Sequence, residues 1–187
     1  MVSKSTTISR VTELEQCVLA VIWRTAGATA YQVRKVFQSS LTATWRASTG
    51  AIYPILRRLA EAGLVDERPV AGSKRNARLL TITKAGEAAL RSWLVDESDW
   101  IAAPVADPMR TRSQVLALLG GQKASAIIQK WRTTSTSALN HVEQRLEDYR
   151  LEGNEVETLA HRGTQLQLLA RLEWLEELAA AAIKRRG

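Results

Sequence analysis

Apolar residues in the first half of the chain recur in short helical runs. After Thr12, the positions Leu14, Val18, Leu19, Val21 and Ile22 keep helical spacing. Thr12 with Glu15, and Thr29 with Gln32, stand at the spacing of a capping box: the hydroxyl takes an amide of the first turn and the side chain three residues on reaches back. Two helices are therefore expected, the second from Ala30 to about Gln38 with Val33, Val36 and Phe37 toward a core, and Gly27 in the break between them. The polar stretch "QSSLTATWRAS" that follows reads as a connection.

In "TGAIYPILRRLAEAGLVDE" the positions Ile52, Ile55, Leu56 and Leu59 form one apolar stripe. At about 100° per residue, Pro54, Arg57, Arg58 and Glu61 fall on the opposite side, with Tyr53 on its flank. Ser48 or Thr49 is the natural N-cap, and Gly63 is the left-handed residue that ends the helix and lets Leu64 fold back. Proline at position 54 lacks the N–H that would bond residue 50, and Gly50 gives the backbone there room to adjust. Next, "LVDERPVAGSKRNARLLTIT" reads as two strands around a turn at Ala71-Gly72-Ser73, with Lys74, Arg75 and Asn76 at the tip and Arg78 behind. Thr83 caps a further helix, "KAGEAALRSWLVDESDW". Helix, helix, helix, basic hairpin, helix is the winged helix-turn-helix plan, whose third helix enters the major groove of DNA.

Charge sharpens this reading. Residues 1–90 hold 13 Lys+Arg against 6 Asp+Glu, and residues 91–187 hold 13 against 13, so the whole excess of +7 lies in the first half. Such segregation suits a polyanion-binding module joined to a neutral one. Free N–H groups at the head of the third helix can meet phosphate, and Arg57 and Arg58 can reach phosphates or a guanine edge. The alternative is a winged helix used as a protein-interaction or scaffold surface; salt dependence separates the two, since DNA binding weakens steeply with salt.

The run "WRASTGAIYPILRRLAEAGLV", followed by the basic hairpin and "LTITKAGEAAL", resembles the PadR family of winged-helix transcriptional regulators. Trp45, Ser48, Gly50, Tyr53, Pro54, Leu56, Arg58, Leu59, Gly63, Leu64, Thr83 and Gly86 stand on the family pattern. Thr29-Ala30-Tyr31 replaces the usual His-Gly-Tyr and keeps the tyrosine, and Leu80 replaces an aromatic residue. The resemblance implies a homodimer acting mainly as a repressor on double-stranded DNA. It places Tyr53, Pro54 and the basic wing near DNA; with the residues read above, the expected DNA-contacting set is Tyr31, Ser48, Thr49, Gly50, Tyr53, Pro54, Arg57, Arg58 and the wing residues Lys74, Arg75, Asn76 and Arg78. Flat aromatic compounds are ligands in some such proteins; Trp93 and Trp100, in or just after the helix that follows the wing, are the candidates to stack on one here.

The fold class expected is mainly α: a winged-helix DNA-binding domain at 1–98, a linker at 99–107, and a long-helix dimerisation domain at 108–187. In the last part, "MRTRSQVLALLGG" reads as a short helix closed by Gly120-Gly121, and a long helix runs from about Lys123 to Arg150. Its positions Ile128, Trp131, Ser135, Ala138, Val142, Arg145 and Tyr149 make a loose seam at 3-4 spacing. "LEGN" breaks the chain before a last helix with Leu168, Leu172, Leu175 and Ala179 on one stripe and Leu166 and Leu169 beside it. Trp131, Ala138, Val142, Tyr149, Leu168, Leu172 and Leu175 are the expected dimer contacts, and a two-fold pair would read a pseudo-palindromic site at a spacing of ~34 Å.

Other classes find little support. His141 and His161 have no metal-type spacing, there is no glycine-rich phosphate loop or serine elbow, and no enzyme or cofactor is expected. The single cysteine, Cys17, lies in an apolar helical stretch as an inert thiol. No secretory leader or membrane span is read, and a reducing cytoplasm fits.

Overall fold

A computed structural model describes residues 11–40, 42–70, 72, 77–95, 98 and 102–184. The chain divides into two compact units, 1–103 and 104–187.

In the first unit, α1 (Glu13–Arg24) starts at Thr12, whose side chain and that of Glu15 form the expected capping box. Val18, Leu19 and Ile22 are fully buried. The chain then reverses through Ala26 and Gly27, both with positive φ (51° and 114°). Gly27 also sits close to the neighbouring strand: a Cβ there would lie 3.2 Å from Thr81 Cγ2 and 3.3 Å from the Leu80 carbonyl. That approach allows β1 (Ala28–Thr29), a two-residue strand the hydrophobic pattern does not reveal, to pair antiparallel with Leu79 and Leu80. α2 (Ala30–Gln38) follows under the second capping box, Thr29 with Gln32.

The second part of the stretch read as a polar connection is helical: α3 spans Ala43–Ala47 and runs into a 3-10 turn at Ser48–Ala51. Its anchor is Trp45, stacked on Phe37 with ring centroids 4.5 Å apart. α4 (Ile52–Glu61) buries Ile52, Ile55, Leu56 and Leu59. It ends in a Schellman arrangement: Gly63 has φ +71°, its amide donates to the Ala60 carbonyl, and the Leu64 amide donates to the Leu59 carbonyl.

β2 (Val65–Pro69) and β3 (Arg78–Ile82) form the hairpin, and the sheet order is β1-β3-β2. α5 (Lys84–Leu94) then packs on α1 and β3. It stops at Leu94, short of the run to Trp100 read from sequence. The junction of α4, β3 and α5 is tight. Thr83 donates its amide to the Leu64 carbonyl and its hydroxyl to the Gly63 carbonyl, while its oxygen accepts the Gly86 amide.

The second unit begins with α6 (Pro108–Ser113), capped by Asp107. Asp107 also takes Nε and Nη2 of Arg171 at 3.1 and 2.8 Å. The short helix expected here is two pieces, because a separate 3-10 turn spans Leu116–Leu119. Gly120, with φ +73°, makes the break, and Gly121 is the first residue of α7 (Gly121–Leu151) rather than a terminator. α8 (Glu155–Lys184) returns antiparallel along α7: Tyr149 meets His161, Glu143 meets Gln165 and Arg132 meets Glu176. The buried stripe of α7 is Ala124, Ile128, Ser135, Leu139, Val142 and Leu146. It departs from the seam read in sequence by using Leu139 and Leu146 where that reading took Ala138 and Arg145. The larger apolar side chains turn inward and Arg145 lies outside over the Tyr149 ring at 4.7 Å.

Candidate nucleic-acid interface

The helix-turn-helix pair is α2 and α4, which pack on each other. Tyr31 on α2 is 66% exposed and Tyr53 on α4 is 51% exposed, both unusual for residues with so much apolar ring. Pro54 and Arg57 share the open face of α4. Pro54 is the third residue of the helix, among the positions whose N–H has no α-helical acceptor, so its missing donor costs little there. The 3-10 turn gives way to α4 two residues before it, at Ile52.

Ser48 and Thr49 do not cap α4. Ser48 donates its hydroxyl to the Thr44 carbonyl at 2.7 Å, Thr49 to the Arg46 carbonyl at 3.1 Å, and no side chain caps the helix. The reason is continuity. Ala47, Ser48, Ala51 and Ile52 all keep right-handed helical angles, so α3, the 3-10 turn and α4 form one interrupted spiral. The free helix head expected for phosphate binding is therefore absent at 48–50. What remains there is space: Gly50 has no positive φ, and a Cβ on it would meet nothing within 4 Å.

The two arginines behave differently. Arg57 is loosely paired with Glu61 one turn on, at 3.8 Å, with both side chains largely exposed. Arg58 turns to α1 and donates Nε–H to Glu15 Oε1 at 2.8 Å. Burial alone would raise the Glu15 carboxyl, but the Thr12 amide, the Arg58 guanidinium and the Thr12 hydroxyl outweigh it and hold its pKa below the ordinary carboxylate value. Sequence reasoning missed Glu15 as part of this surface, because its partner lies 43 residues away and nothing local marks the pairing. In the hairpin, Arg78 is tied across the strands to Glu67, with Nε 2.7 Å from Oε2. Lys74, Arg75 and Asn76 lie outside the described residues, as does Trp100.

Trp93 is half-buried and donates its indole N–H to Glu13 Oε2 at 2.8 Å. It edges a cleft of about 400 Å³ between α1 and α5, lined also by Ala20, Trp23, Leu90 and Leu94. Cys17 is half-buried, and burial above all, with the Glu13 charge, pushes its thiol up to about 11, which leaves it protonated at neutral pH.

Of the expected dimer contacts, Val142, Leu168 and Leu175 are already buried within this chain, while Trp131, Ala138, Tyr149 and Leu172 are half-buried. The apolar surface that α8 leaves open is elsewhere: Val156, Leu159, Leu166 and Leu169 are 72, 65, 50 and 42% exposed. At ~100° per residue Leu159 and Leu166 lie opposite Leu168 and Leu175, with Val156 and Leu169 on the two flanks.

Among known proteins, residues 18–92 match the family described as the transcriptional regulator PadR-like family. The negative transcriptional regulator PadR of Bacillus subtilis (strain 168) is 26% identical over 117 residues, covering 62% of this chain and 63% of that relative's length. The crystal structure of Bacillus subtilis PadR in complex with operator DNA superposes with a TM-score of 0.79 at 21% identity, over 90% of this chain and 97% of that one. The same protein in complex with p-coumaric acid superposes with a TM-score of 0.72 at 20% identity, over 90% of this chain and 94% of that one. At these identities the superpositions show a shared fold.

Proposed function

We propose, for a chain that belongs through residues 18–92 to the PadR-like family of transcriptional regulators, that it represses transcription as a homodimer on a pseudo-palindromic operator and is released by a small aromatic ligand. The observation that carries DNA binding is the open face of α4. It presents Tyr53, Pro54 and a loosely held Arg57 beside a glycine that the fold does not require. A side chain at position 50 would fit the protein, so the gain from its absence is close approach by another molecule.

Repression is supported by the name of the Bacillus subtilis relative, a negative regulator. Ligand release is supported by the crystal structure of that relative with p-coumaric acid and, in this chain, by the apolar cleft beside Trp93. A ligand acts here only by binding the DNA-competent and DNA-incompetent forms unequally. Dimerisation is supported by the outward leucines of α8, since Val142, Leu168 and Leu175 are taken up by the chain's own hairpin.

The test is fluorescence anisotropy on a duplex from the region upstream of its own coding sequence, against an unrelated duplex, at two salt concentrations. Binding that prefers the upstream duplex and survives competitor is the expected result, with release by added hydroxycinnamic acids. Equal, weak binding to both duplexes that salt does not change would instead identify a winged helix serving as a protein-docking surface.

A further inference from the structure

Arg57 and Arg58 are neighbours in sequence, about 100° apart around α4, and they are held differently. The Arg57 guanidinium can swing, because Glu61 lies 3.8 Å away on the same exposed face. The Arg58 guanidinium cannot, because its Nε–H meets Oε1 of Glu15 at 2.8 Å across 43 residues of sequence. The carboxylate that holds it is itself fixed: the Glu15 side chain is 10% exposed, and its other oxygen accepts the amide and hydroxyl of Thr12 at 2.8 and 2.9 Å. One carboxylate thus closes the first turn of α1 and grips α4.

A guanidinium has five N–H donors. Glu15 takes one, and the Nη edge has no acceptor among the described residues on a side chain that is 54% exposed. That edge is the part of arginine that matches two oxygens of a phosphate. As a contribution to stability, an ion pair this exposed on one side is small. As a way to order a long side chain before its ligand arrives, it removes a cost that binding would otherwise carry.

We propose that Glu15 is a positioning residue for DNA binding: it fixes Arg58 through Nε so that the Nη edge meets a backbone phosphate beside the groove that α4 enters. The inference rests on the DNA-binding reading above, and of the two roles open to Arg58, phosphate or guanine edge, it selects phosphate. It also makes a prediction of unusual sign. Removing the Glu15 charge makes the surface more positive, which by itself tightens binding to a polyanion. Loss of positioning weakens it. Gln at 15 cannot accept from both Arg58 and the Thr12 donors, because its NH₂ end has no acceptor to offer.

The experiment uses the full chain and a mixed-sequence duplex of ~30 bp, about three turns, so no operator need be known. Affinity is measured across a series of salt concentrations for wild type, Glu15→Gln, Arg58→Ala, Arg58→Lys and the Glu15→Gln/Arg58→Ala double variant, each checked for intact far-UV circular dichroism. Glu15→Gln is expected to weaken binding by roughly 3- to 10-fold, the net worth of one hydrogen bond. Arg58→Ala should weaken it similarly and lower the salt slope by about 1. Arg58→Lys should keep the slope and lose affinity, and the double variant should bind no worse than Arg58→Ala alone. A merely structural pair would leave the slope of Arg58→Ala at the wild-type value, and that result overturns the proposal, as does tighter or unchanged binding by Glu15→Gln. Failure of the wild type to bind the duplex at low salt would overturn the DNA-binding reading and this inference with it.

Discussion

Gly86 offers the sharpest test of how α4 is held. It sits in the first turn of α5, where a Cβ would lie 2.2 Å from the Leu64 carbonyl oxygen and 2.7 Å from Ile82 Cγ1. Contacts under 3.0 Å are essentially never seen for a real Cβ, so alanine must push the two segments apart by at least 3.0 − 2.2 = 0.8 Å. The obstacle is backbone, and that carbonyl accepts the Thr83 amide at 3.1 Å. Overpacking of this kind costs about 1–3 kcal/mol, and weakening the Thr83–Leu64 hydrogen bond adds about 1 kcal/mol. For a unit of this size, a total of about 2–4 kcal/mol corresponds to a fall in melting temperature on the order of 10–25 °C. Thermal and urea unfolding of Gly86→Ala, followed by far-UV circular dichroism, measures it. Because Leu64 and Gly63 close the end of α4, DNA affinity should fall as well even where the variant is folded. A melting temperature within about 2 °C of wild type, well below the shift expected from ~1 kcal/mol, would refute the packing argument.

Three further outcomes are expected. Gly50→Ala should leave stability unchanged or raise it by up to ~1 kcal/mol, since helical alanine is favoured over glycine, yet lower duplex affinity; unaltered affinity would remove residue 50 from the interface. Glu15→Gln should be less stable than wild type at neutral pH. The native state depresses the Glu15 pKa, so its contribution is present above the unfolded value of ~4.3 and disappears as pH falls through the folded one. The stability gap between the two proteins should therefore close in acid, and a gap constant down to the lowest measurable pH would contradict the pairing. Leu159→Arg with Leu166→Arg should abolish self-association in sedimentation velocity without loss of helix content, whereas a variant that still pairs would locate the dimer contact elsewhere.

Much of the first unit is legible locally. Thr12, Thr29 and Thr83 announce helix starts because a hydroxyl cap acts within three residues, and Gly63 announces an end for the same reason of range. β1 is invisible because two residues carry no period, and only its partner strand defines it. α3 is hidden by its polar composition, which one stacked indole outweighs. In the second unit the elements were readable but the seam was rotated, since a stripe of Ile128, Ser135 and Val142 fits either Ala138 or Leu139 until a facing helix chooses. The largest departure at the site concerns Arg58. It stays on the outer face with Arg57, as sequence places it, with its side chain 54% exposed, but a carboxylate remote in the chain takes its Nε–H.

The α7–α8 hairpin bears on dosage. Two helices that share one seam bury one stripe each, and α8 leaves a second apolar face open at Leu159 and Leu166. If a second copy covers that face, as proposed above, the stability of residues 104–187 and the pairing of two chains become linked, and the balance moves with protomer concentration. On the proposed dimer, scarcity would remove the regulator twice, through fewer chains and through a smaller paired share of them. Its grip on a promoter would respond to its own abundance more steeply than first order, with no effector needed to sharpen the threshold.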